Sequence, residues 1–308
     1  MQNEKIQKNF FRRFSNQWQL QGMALSGVGW MLLFCLVPLI WLIIAFQDFN
    51  VARPIWEAPF VGLKHFKMFF NDPRFFRVLK NTFGISGLKL LFGFPIPILL
   101  SLFLNEIRFS KIKKIMQTAT YLPHFISWAI FGGILLSWLG DKGIVNQVAI
   151  GLGIQEKSIL YNSVPDYFWG ISFISDTWKE MGWNAIIYLA AISSIDPSLY
   201  DAAEVDGAGR FMRMWYITVQ GIRPTIAVLF IMACGNMLVG NFDQIFVLRN
   251  GLNLRASETL DLFIYNMGLS SGRFSYATAI TLTRSFVSLV LLLLANWFSR
   301  KMTNESLF

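Results

Sequence analysis

Residues 199–225 read LYDAAEVDGAGRFMRMWYITVQGIRPT. The stretch is polar and charged, yet too regularly patterned for a plain loop. Asp196-Pro197-Ser198, just upstream, offers a helix start. Ala202, Ala203 and Glu204 favour helix, and Asp206-Gly207-Ala208-Gly209 breaks it. A second helical stretch follows, with Phe211, Met214, Trp215 and Ile217 at three- and four-residue spacing. The pattern predicts two short helices joined at a glycine bend. Such a knob presents small residues for close approach and arginines for charged partners.

Outward from this segment the chain turns apolar on both sides. Of 308 residues, 54% are hydrophobic and only 15% charged, against about a quarter charged in soluble domains. Six runs are long enough to span ~30 Å of hydrocarbon at about 1.5 Å per residue. They lie at 22–46, 81–104, 119–139, 167–195, 225–247 and 277–298. The fold class expected is therefore an all-α membrane protein with about six transmembrane helices. Pro95 and Pro97 predict a bend in the second run. Asp176, Lys179 and Glu180 interrupt the fourth, which predicts a broken or tilted span.

The net charge of +9 does not mark a nucleic-acid surface, because the basic residues sit in short clusters between apolar runs rather than in one stripe. Clusters before the first run and at Arg108, Lys111, Lys113 and Lys114 favour both termini on the cytoplasmic side of a multi-pass plasma-membrane protein. That orientation puts 198–224 in the cytoplasm. Residues 1–21, basic with interleaved aromatics, form either an amphipathic segment on the inner surface or an ordinary flank of the first span. Residues 22–299 then form one membrane domain and 300–308 a cytoplasmic tail. No small-residue cleavage site precedes the first run, so it is expected to remain as a helix. Cys35 and Cys234 both lie in apolar runs and read as packing residues.

Catalytic signatures are missing from the sequence. His65 and His124 are the only histidines, without a metal-binding pair, and no G-x-S-x-G elbow occurs. Residues 151–158 only loosely follow a phosphate-binding loop, since Glu156 stands where glycine must precede Lys157. Any ATP must be bound by a partner.

The order Ala202-Ala203, Asp206-Gly207-Ala208, Ile217 and Arg223-Pro224 resembles the EAA loop of permease subunits of binding-protein-dependent ABC sugar importers with the type I fold. Asp201 stands where that loop usually has Glu, and Gln220 replaces a usual proline. The string DAAEVDGAGRFMRMW and the WKEMGWN stretch are closest to the subgroup for polysaccharide-derived and complex oligosaccharides. The resemblance implies that 198–224 is a coupling loop docking on an ATPase subunit. Ala202, Ala203, Gly207 and Ala208 would pack in its groove, with Asp201, Glu204, Asp206 and Arg210 among the contacts. It also implies no cofactor on this chain, with ATP and Mg used by two ATP-binding cassette partners. A second, paralogous permease and an extracellular solute-binding protein complete the implied assembly. The binding protein would meet 51–80, 140–166 and 248–275.

Ionisable groups at membrane depth are costly unless they are used or paired. Here they are Lys89, Asp176, Lys179, Glu180 and Arg284. Candidates for a sugar path are Trp178, Lys179, Glu180, Trp183, Asn184, Asn236, Asn241, Tyr265, Asn266 and Arg284. Asp176 and Lys179 have helical-neighbour spacing, so an internal pair is the competing expectation. Lys179 and Arg284 together would suit a uronic-acid oligosaccharide. The alternative class is a secondary transporter, which would carry inverted repeats that the sequence does not display.

Overall fold

The computed structural model describes residues 17–303, so most of the basic segment 1–21 lies outside the described residues. These residues form a helical assembly whose one extended pairing is an isolated bridge between Gln47 and Phe60. Helix α1 spans Trp18–Phe46, and α2 spans Lys64–Phe70. Helix α3 is Phe75–Glu106, followed by α4 (Ser110–Tyr121), α5 (Trp128–Trp138) and α6 (Ile144–Gly151). The long α7 is Pro165–Ser193, and the knob comprises α8 (Pro197–Val205) and α9 (Arg210–Gly221). Then come α10 (Arg223–Gly235), α11 (Phe242–Leu248), α12 (Leu260–Tyr265) and α13 (Phe274–Thr303).

Three of these, α1, α3 and α13, are long and apolar enough to cross a membrane, and two bent pairs raise the number to five. The 29 residues of α7 reach roughly 43 Å at 1.5 Å per residue. Of the two expectations for the fourth run, the break is not seen: α7 is continuous. Asp176, Lys179 and Glu180 point to partners on other helices, so the backbone ladder has no reason to open. Breaks fall elsewhere. The run at 119–139 is bent by 98° between α4 and α5, where Pro123 withdraws an N–H and the Ser127 hydroxyl caps α5 by accepting from the Ile130 N–H. The run at 225–247 stops at Gly235 and resumes as α11.

The prolines act one turn earlier than their own positions. In α3 a π turn at Lys89–Gly93, closed by Phe94 N–H donating to Lys89 O at 2.8 Å, precedes Pro95 and Pro97. A similar π turn at Leu32–Leu36 precedes Pro38 in α1. Each releases the carbonyl that the proline ring would strike.

Packing joins helices distant in sequence: α3 lies along α7, α10 along α13, α1 against α13, and α5 against α11. Three apolar clusters mark the depth of the molecule. One holds Phe69, Val78, Phe263, Tyr276 and Ile280; the next holds Ile85, Phe168, Ile245 and Leu262. The third, nearest the knob, holds Leu102, Tyr188, Ile192 and Ile222. At Gly182 on α7 an added Cβ would stand 2.0 Å from Thr120 O, so α4 crosses this point on glycine alone.

Segment 248–275, expected to meet the binding protein, buries part of its own length within the chain. Leu260, Leu262 and Phe263 on α12 are fully buried. Its irregular backbone is satisfied by amides and a hydroxyl, from α3 and from within the segment, as burial requires. Asn81 Nδ2 donates to Arg255 O and Glu258 O at 3.0 and 3.1 Å, and Leu260 N–H donates to Thr82 Oγ1 at 2.8 Å. Asn253 Nδ2 donates to Asn162 O and Leu248 O at 2.7 and 3.0 Å. Helix α13 overruns the expected 277–298 at both ends and enters the stretch read as a tail.

Candidate functional site

The knob is built by its own sequence. Asp196 accepts from the Ser198 N–H at 2.9 Å and starts α8. That backbone hydrogen bond holds the Asp196 carboxyl below its usual range. Helix α8 then ends in a Schellman motif. Gly207 takes φ +75°, its N–H donates to Glu204 O at 3.1 Å, and the Ala208 N–H donates to Ala203 O at 2.9 Å. The Ala-Ala-Glu…Asp-Gly-Ala order therefore encodes a helix stop, with glycine at the left-handed φ that side chains disfavour.

Around that stop the surface is open. Asp201, Ala202, Glu204, Asp206, Gly207 and Arg210 are exposed, and Ala203 and Ala208 are half-buried. Val205 and Phe211 are 89% and 80% exposed, large apolar groups with little cover from the described residues. A Cβ at Gly207 would meet nothing within 4 Å.

Arg210 faces its own chain: Nε donates to Glu106 Oε2 at 3.0 Å and Nη2 to Glu106 O at 2.8 Å. The guanidinium thus clamps the knob to the last turn of α3, satisfying a helix-end carbonyl. Arg213 joins Glu204 at 2.6 Å, and Tyr200 and Thr218 hydroxyls meet at 2.9 Å, so the two arms move as one piece. With Gln220 inside it, α9 continues to Gly221, and the chain turns by 59° into α10 around buried Ile222.

Beyond the knob, a cavity of about 310 Å³ opens between α3, α7 and the break from α10 to α11. Glu180, Asn184, Asn236 and Asn241 line it, as do Lys89 and Asp176. Asp176 does not pair with Lys179. Its Oδ2 lies 3.0 Å from Lys89 Nζ, and its Oδ1 accepts from Asn241 Nδ2 at 2.9 Å. Lys89 also donates to Gln244 Oε1 at 3.0 Å, and Gln244 Nε2 donates to Ser172 O and Ser175 Oγ at 2.6 and 2.8 Å. The helical-spacing rule failed because residues on α3 and α11 reach Asp176 more directly than its neighbour one turn away.

The other expected path residues lie outside this cavity. Lys179 is buried and donates to His124 O at 2.7 Å and Glu180 Oε1 at 3.1 Å. His124 Nδ1 lies 2.6 Å from Glu180 Oε2, and its ring stacks on Trp183 with centroids 4.4 Å apart. Trp178 stacks on Phe131 at 5.3 Å. Tyr265 packs against Phe242 and Phe246, and Asn266 Oδ1 accepts from Arg249 Nη1 at 3.1 Å. Arg284 is paired with Asp261. Lys89 and Asp176, named only as ionisable residues, are the cavity's charged pair. A lone lysine in an apolar run just before two prolines was the available signal.

A branched helical membrane domain with a protruding capped knob is the architecture of a transporter permease. The chain belongs to the family described as binding-protein-dependent transport system inner membrane component, which matches residues 93–304. It is 39% identical over 302 residues to the polygalacturonan/rhamnogalacturonan transport system permease protein YteP of Bacillus subtilis, covering 98% of this chain and 94% of that one. It is also 38% identical, with a TM-score of 0.87, to a chain in the crystal structure of a bacterial ABC transporter involved in the import of the acidic polysaccharide alginate, covering 96% of this chain and 99% of that one. A second such structure, 37% identical with a TM-score of 0.87, is in complex with an alginate pentasaccharide-bound periplasmic protein and covers 96% of this chain and 99% of that one.

Proposed function

We propose that this chain is the membrane-spanning permease subunit of an ATP-driven importer for uronic-acid-containing oligosaccharides derived from polysaccharides. The observation that carries the importer reading is the knob, an exposed small-residue helix stop with uncovered Val205 and Phe211, clamped to a membrane helix by Arg210. Polygalacturonan and alginate, the cargo classes in the names of the similar proteins, share a carboxylate on the sugar ring. On this reading the chain performs no covalent chemistry. Two ATP-binding cassette partners bind ATP and Mg, and their closure drives the knob as a rigid body. The pull passes through Arg210 and Glu106 to α3 and through Tyr200 and Thr218 to α9 and α10.

The knob and both termini then face the cytoplasm, and a solute-binding protein docks on the opposite face at 51–80 and 140–166. A second, paralogous permease closes the path. The test is affinity purification of the tagged chain in mild detergent beside a Gly207→Trp variant. An ATPase recovered with the wild type and lost with the variant is the expected result. A chain that purifies alone, with no ATPase even after crosslinking in membranes, overturns the reading in favour of a secondary transporter.

A further inference from the structure

We infer that the Lys89 ammonium is the carboxylate-reading group of the intramembrane cavity, kept in reserve by Asp176 until an acidic sugar replaces it. The inference rests on the substrate reading above. Three intramembrane cations are candidates for a sugar carboxylate, and the structure separates them. Lys179 is enclosed by His124 O and Glu180, and Arg284 is spent on Asp261; neither lines the cavity. Lys89 is the one basic side chain lining it among the described residues, and its side chain keeps 22% of its exposure.

The surroundings of Lys89 suit an exchange of partners. The ammonium has three hydrogens; one meets Asp176, one meets Gln244, and none of the described residues is seen to take the third. Asp176 is not stranded when Lys89 turns away, because Asn241 still donates to its Oδ1 at 2.9 Å. Glu180, the other acid on the wall, has Oε2 beside His124 and Oε1 beside Lys179, so its charge is balanced away from the sugar. Lys89 also opens the π turn Lys89–Gly93, a helix irregularity frequent at functional positions.

Selectivity follows from electrostatics. At rest Lys89 and Asp176 compensate each other; when Lys89 turns away its charge loses its counter-ion, while Asp176 keeps the Asn241 donor. A uronate carboxylate supplies a replacement anion for Lys89, while a neutral sugar of the same size supplies none. The pair therefore discriminates against neutral glycans. A purely structural ion pair behaves differently, since removing either partner from it is damaging.

The experiment uses the complete transporter in proteoliposomes with its binding protein and trigalacturonate as probe. Lys89→Gln is expected to assemble with its ATPase and to lower trigalacturonate uptake about tenfold, as loss of one charge-assisted hydrogen bond implies. Lys89→Arg is expected to retain uptake. Asp176→Asn leaves Lys89 unopposed and is expected to retain uptake with a lowered KM. Equal loss in Lys89→Gln and Asp176→Asn, or full uptake in Lys89→Gln, overturns the inference. If Lys89→Gln does not assemble, Asp176→Asn decides alone, and loss of uptake there overturns it. Wild-type transporter that takes up no trigalacturonate while remaining an active ATPase overturns the substrate reading, and the role of Lys89 with it.

Discussion

At the residue scale, Arg210 carries two possible duties, and its geometry separates them. Both of its hydrogen bonds go to Glu106 at the end of α3, which on the proposed reading favours transmission over docking. Arg210→Ala is expected to leave ATPase co-purification at the wild-type level and to lower sugar uptake per ATP hydrolysed by roughly tenfold, the scale of one charge-assisted contact. Loss of the ATPase from the purified complex would instead assign Arg210 to the docking surface. Asp196 gives a pH-dependent feature at the same scale. The Ser198 N–H depresses its carboxyl below 3.8, so the cap is complete above that value. Its contribution is lost as pH falls through the lowered native value. Hydrogen exchange in α8 is expected to accelerate below about pH 4 relative to an Asp196→Asn variant, whose amide oxygen still accepts the bond. Equal exchange in the two proteins across that range would remove the carboxylate from the account.

At the element scale, α7 shows how one helix holds two kinds of glycine. Gly182 faces Thr120 O so closely that a methyl group cannot enter, whereas a Cβ at Gly170 meets nothing within 4 Å. Gly182→Ala is expected to destabilise by about 1–3 kcal/mol through overpacking. Gly170→Ala is expected to be neutral or to stabilise by up to about 1 kcal/mol, because alanine is the better helix former. Thermal unfolding of the two variants in one detergent checks the difference in sign. Much of the element scale was legible in the chain. The capping signals around 196–209 located α8 and its stop, and the prolines at 95 and 97 located a helix distortion. The continuity of α7 was not legible, since Asp176, Lys179 and Glu180 look like breakers until their partners Lys89, Asn241 and His124 are known.

At the scale of the whole molecule, segment 248–275 depends on contacts far away in the chain. Asn81 alone holds the carbonyls of both Arg255 and Glu258. Asn81→Leu leaves those buried acceptors without that partner, at about 1–3 kcal/mol for each unsatisfied group. The expected result is unchanged helix content by circular dichroism with faster proteolysis confined to 248–275. Wild-type protease resistance there would show that the segment is held by apolar burial of Leu260, Leu262 and Phe263 alone.

Local chemistry sets a helix cap, a left-handed glycine and an apolar run, because each is decided within a few neighbouring residues. The sequence by itself thus determined the helical membrane class, the knob at 198–224 and its family resemblance. It could not rank its intramembrane charges, since a lysine or an arginine in an apolar run looks the same whether it is buried against a carbonyl, spent on an aspartate or left on a cavity wall. Only the tertiary structure decided that Lys179 is buried against His124 O, that Arg284 pairs with Asp261 away from the cavity, and that Lys89 meets Asp176 beside open space. The physical reason is that the cost of a charge in the membrane is settled by the partners within a few ångströms of it, and those partners come from helices far apart in the chain.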